Sequence, residues 1–134
     1  MKRYNKVLQI VNEYIPSTTS NYELDEYGYK LLKNYVGTYP SDKIPNLKNG
    51  ECCIVNLDKS GMAGSHWVGI YHYKKNSYFY DSFGRRSITI LNIETVEDPD
   101  YDAEQDINEL NCGGRSLSFL WCFENYGKDY AMTI

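Results

Sequence analysis

Over residues 4–15 the apolar side chains Tyr4, Val7, Leu8, Val11 and Ile15 return at steps of three and four, which predicts a helix with one buried face. Pro16 ends it, since proline cannot continue the backbone hydrogen-bond ladder. A second start follows at once. Ser20-Asn21-Tyr22-Glu23 fits a capping box, in which Ser and Glu side chains satisfy each other's backbone N–H groups. Leu24, Tyr27, Leu31 and Tyr35 carry a helical stripe onward, interrupted by Gly28, and Gly37 is the predicted stop.

The period then changes. Residues 38–50 contain Pro40, Pro45 and Gly50 among mixed polar positions and read as an irregular connector. Segments 51–57, 66–73 and 77–81 are short and rich in β-branched and aromatic residues, with turn-forming stretches at 58–65 and 74–76 between them. They predict three strands in a small, mainly antiparallel sheet. Over residues 112–126, Leu117, Leu120, Trp121, Phe123 and Tyr126 leave little polar face, so this helix is predicted to lie in the core, capped by Gly127. Helices at the two ends of the chain around a central sheet give an α+β fold, read as a single domain over residues 1–134.

With 134 residues, a core able to stand alone is expected. No run of about eighteen apolar residues occurs, and the start Met1-Lys2-Arg3-Tyr4-Asn5 is polar, so the expectation is a soluble, unprocessed intracellular protein with no membrane partner. Four cysteines are too sparse for a disulfide scaffold, Cys52 and Cys53 are adjacent, and no Cys-x-x-Cys pair offers a zinc or dithiol motif. Free thiols are expected, and neither metal nor cofactor. The net charge of −4, with no basic and aromatic groove, argues against DNA as a partner. The 14 tyrosines sit mostly within patterned segments and read as core and rim.

Cys112 stands before Gly113-Gly114 at the predicted start of the buried helix. Unpaired N–H groups there stabilise a thiolate, and glycines let a peptide approach the backbone. The plainer reading is a small buried cysteine in a turn. A nucleophilic thiolate needs a base, and the histidines are His66 and His72. Strand alternation puts both on one face about 20 Å apart, so only one can serve Cys112. Asp81, ending the strand Ser77-Tyr78-Phe79-Tyr80, suits the orientation of an imidazole on a neighbouring strand, or simply opens the turn Asp81-Ser82-Phe83-Gly84.

In combination, Gly64-Ser65-His66-Trp67, Tyr80-Asp81-Ser82-Phe83-Gly84, Gln105 and Cys112-Gly113-Gly114 occur in an order that resembles the adenovirus-type maturation cysteine proteases and their virophage and Polinton-like relatives. Gly37-Thr38-Tyr39 and Cys53-Ile54-Val55-Asn56 resemble segments the family carries upstream, so the likeness runs from about Tyr35 to Gly127. It implies a permuted papain-like fold with Cys112 as nucleophile, His66 as base, Asp81 as orienter and Gln105 in the oxyanion hole. Trp67 is expected to shield the site, and Gly113 to line it. The resemblance further implies cleavage of capsid precursors near glycine, inside the virion or infected cell. Proteases that process SUMO-like modifiers share these residue types and are the alternative within the class. A catalytically silent binding module is the alternative outside it.

This chain departs from the adenovirus members in having Asp81 where they use Glu, no cysteine between Arg85 and Gln105 for an activating disulfide, and a shorter length. One decoy also stands out. Asp98, Asp100, Asp102 and Glu109 match positions of a calcium loop, but Ala103 replaces its glycine and Pro99 interrupts it, which favours an acidic, solvated loop.

Overall fold

Helix α1 (Arg3–Tyr14) forms where the three- and four-residue spacing required it, burying Tyr4, Val7, Leu8 and Val11. A computed structural model of the chain describes residues 3–14, 20–58, 66–96 and 111–134. Helix α2 (Asn21–Leu31) starts on the predicted capping box: Ser20 Oγ accepts from the Glu23 N–H at 3.2 Å, and Glu23 Oε1 accepts from the Ser20 N–H at 3.3 Å. The remaining elements are β1 (Tyr35–Pro40), β2 (Cys52–Asn56), β3 (Trp67–Tyr73), β4 (Asn76–Tyr80), the single turn α3 (Ser87–Ile90), α4 (Cys112–Tyr126) and the single turn α5 (Lys128–Ala131).

The stripe Leu24-Tyr27-Leu31-Tyr35 does not remain helical to its end. Leu32 is already extended (φ −119°, ψ 140°), and Tyr35 begins a strand. The misleading four-residue step has a physical origin, because Tyr35 still packs on α2 after the chain reverses. A Cβ added at Gly28 would lie 2.6 Å from Tyr35 Cδ2, so the glycine is the seat of that ring. The connector expected over 38–50 likewise yields its first residues to β1, where Val36, Thr38 and Tyr39 suit a pleated surface and Pro40 ends the strand.

The four strands are ordered β1-β2-β3-β4. The predicted strands β2, β3 and β4 pair antiparallel, with Ile54 opposite Gly69 and Gly69 opposite Tyr80. Strand β1 pairs parallel to β2, so the sheet is mixed. One face, bearing Cys52, Ile54, Trp67, Tyr71, Tyr78 and Tyr80, packs on α4 through Leu117, Phe119, Leu120 and Phe123. Helix α1 closes the other side of α4, which is therefore buried along most of its length, as its sequence required. The second sheet face, Cys53, Val55, Val68, Ile70 and Phe79, lies under Val36, Ile44, Leu47, Ile90 and Ile93. Among the described residues no helix is long and apolar enough to cross a membrane.

Candidate functional site

The pairing of Gly69 with Tyr80 brings the residue before β3 and the residue after β4 to the same end of the sheet. His66 occupies the first place, with its backbone C=O accepting from the Leu57 N–H at 3.0 Å. Asp81 occupies the second. Helix α4 begins at this end too, and its first residue is Cys112. Three segments far apart in the chain thus meet at one corner, and all three side chains are buried: His66 is 7% exposed, Asp81 5% and Cys112 8%.

His66 Nε2 lies 2.6 Å from Asp81 Oδ1. The imidazole is also hydrogen-bonded to Cys112, and with Nε2 held by the carboxylate, Nδ1 is the nitrogen left for the sulfur. Phe83 covers one face of the imidazole, the rings stacked 4.8 Å apart at 24°. Asp81 gathers further donors, the Phe83 N–H onto Oδ1 at 3.1 Å and the Arg85 N–H and Nε onto Oδ2 at 3.2 and 2.8 Å. The turn that permits this uses Gly84 at φ +72°, where its N–H reaches the Asp81 carbonyl at 2.8 Å.

These contacts set the protonation of the site. Burial by itself pushes the Cys112 thiol up, but hydrogen bonds from His66 and from the backbone N–H groups of Trp67 and Gly113 outweigh it, and the thiol lies below its ordinary value. The other three cysteines move the opposite way. Burial pushes Cys53 and Cys122 up to about 12, and Cys52 up as well. Burial also opposes the charged form of His66, yet the hydrogen bonds to Asp81 and Cys112 raise it above the usual histidine value. Asp81 is held below the ordinary carboxylate range, because His66, Arg85 and the Phe83 N–H outweigh its burial. The arrangement therefore favours a thiolate beside an imidazolium, with a carboxylate behind it.

Of the two histidines weighed in the sequence, His66 stands beside Cys112. His72, near the far end of β3, bonds through Nδ1 to Ser77 Oγ at 2.8 Å. Trp67 packs in the same cluster as Cys112, directs its backbone N–H at the sulfur, and accepts from Ser116 Oγ at 3.1 Å through its carbonyl. Gly113 contributes its backbone N–H. Gln105, Gly64, Ser65 and the calcium-like spacing from Asp98 to Glu109 lie outside the described residues. Sequence reasoning passed over Arg85 and the ring of Phe83. The available signal was their spacing of two and four residues after the acid in a tight turn, which brings the Phe83 N–H and the Arg85 side chain back to the carboxylate and the Phe83 ring onto the imidazole.

No family model matches the chain, and no curated protein does.

Proposed function

We propose that the chain is a cysteine endopeptidase of the adenovirus maturation type, on a permuted papain-like version of its α+β fold. The observation that carries this reading is the single line Cys112–His66–Asp81 at the start of a buried helix, with Cys112 alone among four cysteines drawn toward the thiolate. The Cys112 sulfur attacks the scissile carbonyl carbon, forming an S–C bond as the carbonyl π pair moves onto oxygen. The Cys112 N–H and, by resemblance to the family, the Gln105 carboxamide receive that oxyanion, each such donor contributing about 3 kcal/mol. The oxyanion then collapses, the C–N bond breaks, and the proton on His66 goes to the leaving amine. Water completes the turnover: His66 takes its proton, the oxygen attacks the thioester, and the sulfur leaves. Asp81 stays ionised, keeps the imidazole facing the sulfur throughout and takes no proton from it.

The substrates proposed are structural precursor proteins cut near glycine, within the virion or infected cell. The test is incubation of the purified chain with capsid precursor proteins, with mass mapping of new termini. The wild type is expected to produce discrete termini beside glycine-containing sites. Cys112→Ala is expected to reduce the rate by about 10⁴-fold or more, and His66→Ala nearly as much. Cleavage by Cys112→Ala at the wild-type rate would refute the assignment.

A further inference from the structure

Asp81 has two oxygens and spends them differently. Oδ1 faces His66, whereas Oδ2 is taken by one residue twice, through the backbone N–H and the Nε of Arg85. The Arg85 side chain is 42% exposed, yet the carboxylate it meets is fully enclosed. A loose surface ion pair has two screened ends and a geometry that side-chain entropy works against. Here one end is out of water and its direction is fixed by the turn, so the charge on Arg85 acts on a buried partner. The guanidinium also lies over the Phe83 ring, with Cζ 5.3 Å from the centroid, and the same ring stacks on the imidazole. Carboxylate, imidazole, phenyl ring and guanidinium thus form one closed clamp.

We propose that Arg85 is a positioning residue of this site, holding Oδ2 so that Oδ1 stays in line with His66, and supplying the cation that balances Asp81 beside the thiolate–imidazolium pair. With Arg85, the four charges Cys112⁻, His66⁺, Asp81⁻ and Arg85⁺ sum to zero. Without it the same enclosed corner carries one net negative charge, and every proton there becomes harder to remove. Among the described residues, the titratable groups that meet in this cluster are Cys112 from α4, His66 ahead of β3, and Asp81 and Arg85 after β4. Arg115, one turn along α4, reaches to Asn111 Oδ1 at 3.2 Å and to the Tyr4 hydroxyl at 3.5 Å, and Tyr4 in turn meets Tyr80 at 2.7 Å.

The inference rests on the proposed chemistry for its effect on turnover, but its test does not need a substrate. The rate of Cys112 alkylation by iodoacetamide is followed against pH, with mass mapping to assign the label, in the wild type, Arg85→Gln and Arg85→Lys. The wild type is expected to show an acid limb, where the thiolate forms beside protonated His66, and an alkaline limb, where His66 loses its proton. Arg85→Gln is expected to move both limbs upward by roughly half a pH unit. Arg85→Lys, which keeps the charge, is expected to retain the wild-type profile. A Gln profile that superimposes on the wild type overturns the proposal, and so does a Lys variant displaced as far as Gln. Two limbs in a chain that cleaves no capsid precursor would sink the proteolytic reading while leaving the role of Arg85 standing.

Discussion

Four donors converge on the two oxygens of Asp81, so removing that side chain leaves more than a missing contact: it strands His66, two backbone N–H groups and a guanidinium around an apolar methyl. Asp81→Ala is expected to cost about 3 to 5 kcal/mol, the usual penalty for breaking a buried pair. The pH dependence has a definite sign. The folded-state value of Asp81 is depressed, so its contribution is present above the unfolded carboxylate value of about 4 and disappears as pH falls through the lower folded value. The gap in urea midpoint between wild type and variant is therefore expected to be full near pH 6, to begin narrowing near the unfolded value of about 4 and to narrow further as pH falls through the lower folded value. A gap that stays constant as pH falls well below that unfolded value would contradict the ionised role. At this scale the sequence was readable where residue types carried their chemistry in short windows, as in His66-Trp67 and Cys112-Gly113. It was unreadable where a contact depends on a turn folding back, as with Arg85 on Asp81, because the same four-residue step is also an ordinary surface spacing.

The junction of α2 with β1 sets two element-level rules against each other. Alanine is preferred over glycine inside a helix by about 1 kcal/mol, which predicts that Gly28→Ala stabilises the protein. The Tyr35 ring stands where the new methyl would go, and that ring is 4% exposed and tied through its hydroxyl to Thr38. Overpacking of this kind costs about 1 to 3 kcal/mol, so Gly28→Ala is expected to lower the urea midpoint. Combining it with Tyr35→Leu is expected to recover part of the loss, and a midpoint raised by Gly28→Ala alone would show that the ring yields. The same junction explains why β1 was misread. Period-3.6 spacing reports which residues share a face only while the chain keeps its direction, and here it reverses between Leu31 and Tyr35. Strands β2, β3 and β4 were legible because their apolar runs are bounded by turn residues on both sides.

At the scale of the molecule, α4 joins Cys112, the proposed nucleophile, at one end to an aromatic cluster at the other. Phe123 stacks on Tyr71 with centroids 4.1 Å apart and touches Tyr78, Tyr73 and Phe119. Phe123→Ala is expected to cost about 3 to 5 kcal/mol in urea unfolding. Cys112 lies eleven residues away, about 16 Å along the helix, so its alkylation rate at neutral pH is expected to stay at the wild-type level. A parallel fall in both would mean that the helix start does not hold independently of its far end. The overall class was legible because α4 is apolar on nearly every side and has to be surrounded. The parallel entry of β1 was not, since strand order is decided by long-range packing that no local pattern encodes.

Tyr4 gives its backbone N–H to the Tyr130 hydroxyl at 2.8 Å, a bond spanning 126 positions. The bond ties the first turn of α1 to α5, the turn that follows α4, so the outer cover of α4 is held by partners that only a long loop closure brings together. The seat of α1 is therefore a late event in folding, because the chain between the two tyrosines has to be ordered before they meet.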